Sequence, residues 1–521
     1  MRSPLARSGR GGRCLVAYQR GQALVFVGIT TVIVLLGVVL LFNVSQLTTQ
    51  KMKLQNTADA AAYSGALCEA RDYNFTAYAN RAMIANQVAV AQIVGLTSWA
   101  RNLDSVYKSG PFTWVPQTFA NLSALGSMWT SVFNVIKGVA GGLKSGIDAV
   151  AGPLVKVLDF LIDALYYGSS AYHIAMVLTV PETILEVIKL NDDDQSRLSL
   201  SATQIGFAAK HAYDVYKFTS DYDPTAVSGS NADSGGSADR QANVIWNSVD
   251  GFYKFRSYPW PLPILIDPTK AIPGNYGTMF MIMYHSGGTE LKHASSGQKM
   301  KSWTALDATG LFTIFMAWIF VPFPIPIPIP IPTPQGYGGA IAGNTSNDLN
   351  PSSGTFNHNF ADAYGTTFVN PLTMAPGWIK VGEGPGATLD SNGGLKKYWD
   401  VSKRGQATTD PASDQNLTAP ELLIEVEKPM GKITTSTSNS LKIGGDDSGK
   451  LWLADKVPSD DNVIKALSKA QAYFSRPKNL FPRPTAGETE YGSLYSPYWQ
   501  ARLLPNSILE QGASILLSGW P

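Results

Sequence analysis

Five histidines in 521 residues leave few places where acid–base chemistry can be organised. The stretch "HSGGTELKH" gathers three candidate groups, His285, Glu290 and His293. Imidazole and carboxylate are ligands for zinc-like ions, and the same groups can relay a proton in hydrolysis. The set is one donor short of a closed tetrahedral site, and HExxH spacing is absent. It therefore stands as a weak metal candidate, and no cofactor is expected. "GGDDSGKL" (444–451) has the glycines and lysine of a phosphate loop, but Leu451 replaces the hydroxyl residue that would hold magnesium. Asp446 and Asp447 would also repel phosphate, so the segment reads as a β-turn. "NDDDQS" (191–196) lacks the glycine and distal Glu of a calcium loop and reads as a helix cap or turn. With no nucleophile elbow and no Cys–His pairing, the expectation is a protein without catalysis; an anchored hydrolase using His285 or Glu290 is the alternative.

Charge is distributed unevenly. Arg2, Arg7, Arg10, Arg13 and Arg20 are the only charged side chains before residue 51. Of 41 basic residues these five lie at the start, so the remainder are slightly outnumbered by the 39 acidic ones. That balance offers no basic footprint for nucleic acid. Charged residues make up only 15% of the chain, against about 25% in ordinary soluble domains. The two cysteines, Cys14 and Cys68, lie on either side of the most apolar run, so a disulfide framework is not expected.

That run is "ALVFVGITTVIVLLGVVLLF", Ala23 to Phe42, without a charge. As a helix at about 1.5 Å per residue it is about 30 Å long, the hydrocarbon thickness of a bilayer. Its Leu, Ile, Val and Phe side chains favour insertion by about 5–9 kcal/mol as an upper bound. The arginine-only flank places the N-terminus in the cytoplasm and the bulk of the chain on the other side. A cleaved signal peptide is the competing reading, but its apolar region would be shorter and its Ala-x-Ala site nearer than Ala58 and Ala60.

Beyond the run, "LQNTADAAAYSGAL" (54–67) places Leu54, Ala58, Ala61, Gly65 and Cys68 at alternating steps of four and three. This is a seam of small residues along which helix backbones can approach closely, either within the chain or with a second copy. The segments "RGQALVFVGITTVIVLLG" and "KLQNTADAAAYSGAL" resemble the anchor module of TadG-like proteins of the Tad (Flp) pilus assembly system. The matching positions are Arg20, Gly21, Gln22, Gln55, Asn56, Ala58, Asp59, Ala60 and Ala61. "NRAMIANQVAVAQ" (80–92), "AQAYFSRP" (470–477) and "YSPYWQARL" (495–503) resemble segments of large pilus-assembly relatives.

The resemblance implies a bacterial inner-membrane, single-pass protein with its bulk in the periplasm. Its expected partners are the lipid bilayer, other pilus-assembly or envelope proteins, and a second copy through the small-residue helix. The expected interaction residues are Gln55, Asn56, Ala58, Asp59, Ala61 and Gly65. A surface adhesin or secreted-substrate binder is a further alternative. Two features of the wider group are not carried over. Phe26 stands where pilin-type processing after Gly21 would want Glu, and the Asp-x-Ser-x-Ser metal motif of von Willebrand A domains is missing.

The remaining text predicts an α+β protein: a single N-terminal transmembrane helix continuing into a helical region, then a mixed α+β extracytoplasmic domain. The divisions are a cytoplasmic tail (1–20), the anchor (21–50), a helical stalk or bundle (51–220), a Gly/Ser-rich linker (221–240) and the α+β domain (241–521). Pro153 and Pro181 are expected at helix starts. "TMFMIMY", "LFTIFMAWIF" and "ELLIEVE" predict strands, and "NVIKALSKAQAYF" (462–474) a helix. In "VPFPIPIPIPIPTP" proline alternates with other residues from Pro322 to Pro334. Either it is an extended polyproline arm, or it is a strand whose missing amides all lie on one edge.

Overall fold

A 94-residue helix, α1 (Val16–Ser109), organises the chain. In the computed structural model the described residues are 16–109, 126–191, 199–201, 204–224, 240–259, 264–266, 279–292, 302–321, 323–343, 349–350, 355–356, 366–369, 376–378, 387–390, 393–401, 418–429, 433, 463–475 and 492–517. At 1.5 Å per residue α1 is about 140 Å long. Through the apolar run its side chains meet no protein: Leu24 is 78% and Leu41 70% exposed. Among the described residues it is the one helix long and apolar enough to cross a membrane. From Leu54 onward most of the same helix is buried, with Tyr63, Phe75 and Tyr78 on its exposed side.

The other helices are α2 (Gly126–Leu190), α3 (Gln204–Phe218), α4 (Arg240–Ser248), α5 (Gly251–Lys254) and α6 (Ile508–Leu517). The strands begin with β1 (Ser199–Leu200), β2 (Thr219–Tyr222), β3 (Phe255–Pro259), β4 (Ile264–Ile266), β5 (Met279–Lys292), β6 (Ser302–Val321) and β7 (Phe323–Gly343). They continue with β8 (Leu349–Asn350), β9 (Thr355–Phe356), β10 (Thr366–Val369), β11 (Pro376–Trp378) and β12 (Ala387–Asp390). The last are β13 (Tyr398–Val401), β14 (Thr418–Pro429), β15 (Val463–Phe474) and β16 (Trp499–Leu504).

Two larger sheets flank α1. One is antiparallel, in the order β1-β14-β15-β16. The other runs β12-β7-β6-β5-β3, with β4 also on β5 and with β12 parallel to β7. Helix α2 returns antiparallel beside α1. Ile184 and Ile188, near its end, share a core with Leu54 and Ala58, while Ala151 and Val155 share one with Met83 and Val90. The helical stretch and the strand-rich stretch thus share their cores. The linker expected at 221–240 overlaps β2, which pairs with β13, and residues 225–239 lie outside the described residues.

Two local expectations are corrected. Residues 463–474 form the strand β15, paired with β14 on one side and β16 on the other. Its alanines favour a helix in isolation, but Ala466, Ser468, Ala470 and Ala472 all lie on one buried face of the strand. Small side chains are needed there because α1 packs directly above. Pro153 and Pro181 lie inside α2, which runs through both. Each proline removes one helical hydrogen bond. Burial of Val155, Ile162, Val180 and Ile184 holds the helix on either side.

The proline–isoleucine repeat is the first half of β7. Ile325, Ile327 and Ile329 stand opposite Ile319, Ala317 and Phe315 of β6, and Pro326 and Pro328 opposite Trp318 and Met316. Proline cannot donate, so in this antiparallel ladder the isoleucines occupy the hydrogen-bonded sites and the prolines point their missing amides outward. Strand β12 joins the outer edge of β7 only at Ala340–Ala342, beyond the repeat. The amides of Ile325, Ile327 and Ile329 are expected to exchange slowly in deuterium-exchange NMR or mass spectrometry; exchange at random-coil rates would disprove the pairing.

Candidate functional site along the first helix

The sequence-predicted interaction residues lie where α1 passes from bare to buried. The tips of β14 and β15 grip the helix at this point. Lys428 Nζ donates to Gln50 Oε1 at 2.7 Å, and Gln55 Nε2 donates to Asp59 Oδ1 at 2.9 Å and to the Leu467 carbonyl at 3.0 Å. Lys51 Nζ donates to the carbonyl of Lys465, whose own ammonium lies 3.2 Å from the buried Glu425. Burial pushes the Lys51 ammonium below its ordinary range, with Glu425 partly opposing.

The small-residue seam is filled by the chain itself. Ala58 and Ala61 are fully buried against α2, β14 and β15. A Cβ at Gly65 would meet Leu422 Cδ2 at 2.5 Å. These three positions are therefore covered within the molecule, the first of the two readings of the seam. Small residues on both α1 and β15 let helix and sheet approach closely, and that approach consumes the face. Asp59 is half-buried and tied to Gln55, while Asn56 is exposed.

Farther along, α1 carries Glu69 and Asp72 into the interior, and each of the two meets a histidine from a distant segment. Glu69 bonds His211 Nε2 of α3, whose Nδ1 lies 3.0 Å from the Glu421 carbonyl. Burial is the largest influence on His211 and favours its neutral form. The hydrogen bond and charge of Glu69, the Glu421 carbonyl and Asp214 together outweigh it and raise the pKa. The stability from this pair is therefore present below pH 6.5 and lost as pH rises through the elevated folded value. Asp72 bonds His173 Nδ1 of α2, and His173 Nε2 lies 2.9 Å from Thr219 Oγ1. Neutral side chains add further ties: Asn74 exchanges two 2.9 Å hydrogen bonds with the Trp499 backbone, and Asn80 donates to the carbonyls of Trp399 and Leu494.

His285 occupies the third such centre. Its Nε2 lies 3.0 Å from Asp307 Oδ1, and its Nδ1 lies 3.2 Å from Asn102 Oδ1 of α1. Arg256 clamps Asp307 with two 2.7 Å hydrogen bonds, and all three charged-type side chains are fully buried. Burial alone would raise the Asp307 carboxyl, but the Arg256 charge and the His285 and Arg256 hydrogen bonds overcome it and bring it to about 2. Glu290 stands on the same strand in register with Thr304, and His293 lies outside the described residues. Among the described residues no three His, Cys, Asp or Glu side chains converge as metal ligands. Three of the five histidines thus pair with buried carboxylates and hold elements together.

Sequence reasoning missed Glu69 and Asp72 as structural centres. Their only signal was charge inside an otherwise small and apolar helix, "LCEARDY". Their partners lie 142 and 101 residues away, beyond any local spacing rule.

Residues 21–71 match the family model for TadE/G-like Flp pilus assembly. The matched segment begins at the start of the apolar run and ends at Arg71, between the Glu69 and Asp72 ties. The chain therefore carries a Tad-type pilus-assembly segment at its anchor. No curated protein and no solved structure matches the chain.

Proposed function

We propose that this protein is a membrane-anchored structural component of a Tad/Flp-type pilus or a related secretion apparatus, acting through protein–protein contacts and without catalysis. The observation that carries the reading is the coincidence of the pilus-assembly segment with one unbroken helix. That helix is bare through its apolar part and then becomes the axis around which the rest of the chain packs. A helix continuous across the membrane boundary transmits displacement in the bilayer directly to the folded part. The arginine-only flank supports a cytoplasmic N-terminus and a periplasmic bulk. Partners on this reading are the bilayer and other pilus-assembly or envelope proteins.

Breaking the continuity tests it. Thr49 lies in the exposed stretch of α1 between the apolar run and the buried part. Thr49→Pro costs the helix about 3 kcal/mol locally while leaving both flanking regions intact. In the native host the variant should remain in the membrane fraction at normal abundance yet assemble no pili, by electron microscopy. Normal piliation in this variant, or in a strain lacking the gene, would exclude the proposed role.

A further inference from the structure

The outward face of α2 carries a second seam that the fold leaves bare. From Val132 to Leu185 the helix has an apolar or small residue at every core position of a seven-residue repeat. Its centre reads Phe160, Ala164, Tyr167, Ala171, Ile174 and Leu178, at alternating steps of four and three. None of these contributes to the cores described above. Phe160 is 70%, Tyr167 67%, Ile174 66% and Leu178 75% exposed. The opposite face supplies the intramolecular contacts, through Ala151, Val155, Ile162, Met176, Val180 and Ile184. An uncovered face that keeps a seven-residue apolar repeat is the pattern along which a second helix winds.

We infer that this face pairs two copies of the chain, α2 against α2, parallel and in register. The inference rests on the proposed anchoring, because copies inserted with the same polarity hold their seams at the same height above one bilayer. Each copy then offers the other a heptad seam of identical length and phase, so that like layers meet: Phe160 with Phe160, Ala164 with Ala164. The positions flanking the seam favour self-pairing. Lys156 and Asp163 at the edge face Leu161 and Gly168 of the other copy rather than their own equivalents. A lipid surface does not fit, since α2 runs antiparallel to α1 and so stands away from the bilayer. The seam is about 80 Å long at 1.5 Å per residue, and a strip about 10 Å wide along it covers about 800 Å², the share of one partner in a standard stable interface.

Disulfide trapping in native membranes tests the pairing. In a Cys14→Ser, Cys68→Ser background, cysteine is placed at seam positions (Ile174→Cys, Leu178→Cys) and at the exposed neighbouring Thr179 (Thr179→Cys). Mild oxidation should give roughly tenfold more covalent homodimer from the two seam variants than from Thr179→Cys. Equal trapping at all three sites, no dimer at either seam site, or crosslinks formed only to another polypeptide would overturn the inference. Carbonate extraction of the same samples separates the two readings. A chain that pellets with membranes but lacks seam-specific dimers removes only the pairing. A chain that is released into solution and still forms them removes the anchor instead.

Discussion

Asp307→Ala lowers stability by about 3–5 kcal/mol in urea unfolding of the detergent-solubilised chain. The carboxylate is fully buried and receives both Arg256 hydrogen bonds and that of His285. Among the described residues, its removal leaves the interior guanidinium with Thr289 Oγ1 and the Tyr253 carbonyl as partners. That uncompensated charge, more than the lost attraction, sets the cost. Acid supplies an independent measure. Against burial, Arg256 and His285 hold the folded carboxyl at about 2 against 3.8 for the free group, a difference worth about 2–3 kcal/mol. Because the folded value is the depressed one, this stability is complete above the unfolded pKa and disappears as pH falls from near 4 through 2. Asp307→Ala should abolish that part of the acid dependence. A variant that unfolds at the wild-type urea midpoint would show that the cluster contributes nothing.

The second large effect is expected at Gly338. A Cβ there would come well within 3.0 Å of backbone atoms of α1, the Ser98 carbonyl oxygen and the Asn102 nitrogen. Backbone atoms cannot rotate away as a side chain can. The helix is also pinned at this point by the Arg101–Asp148 bridge, and by Asn102 donating to the Asp307 carbonyl at 3.3 Å. Gly338→Ala should therefore cost about 3 kcal/mol, the upper end for overpacking, and Gly338→Val more. Tryptophan fluorescence during unfolding reports it, since the buried Trp303 donates to Gln87 of α1 in the adjoining core. A Gly338→Val chain of unchanged stability would mean that α1 and β7 do not touch as described.

These two sites mark the boundary of what local sequence discloses. Twenty uncharged residues from Ala23 announced an anchor because length and apolarity alone define one. "ELLIEVE" and "TMFMIMY" announced strands through their β-forming residues, whereas the alternating prolines fitted a polyproline arm as well as a strand with one usable edge. "NVIKALSKAQAYF" misled because alanine there reflects the closeness of a neighbouring helix, not a preference of the segment itself. His285 attracted notice for its proximity to Glu290 and His293, yet its partners are Asp307 on the next strand and Asn102 on α1. The small-residue seam was legible as a contact surface, but its occupant was not. That depended on β14 and β15, some four hundred residues downstream.

That separation governs how the protein comes into being. Lys51 and Gln55 wait for Lys465 and Leu467, and Asn74 waits for Trp499, before their polar groups are satisfied. The first segment to leave the ribosome is thus among the last to be completed, because its counterparts are still untranslated. Glu69 and Asp72 need only His211 and His173, but until the final strand arrives Asn74 has water as its partner, and the ordering entropy of closing such long loops is outstanding. Folding that depends on contacts so far apart in sequence is slow. A nascent chain released short of Trp499 leaves Asn74 without the backbone partner that ties it to the last strand.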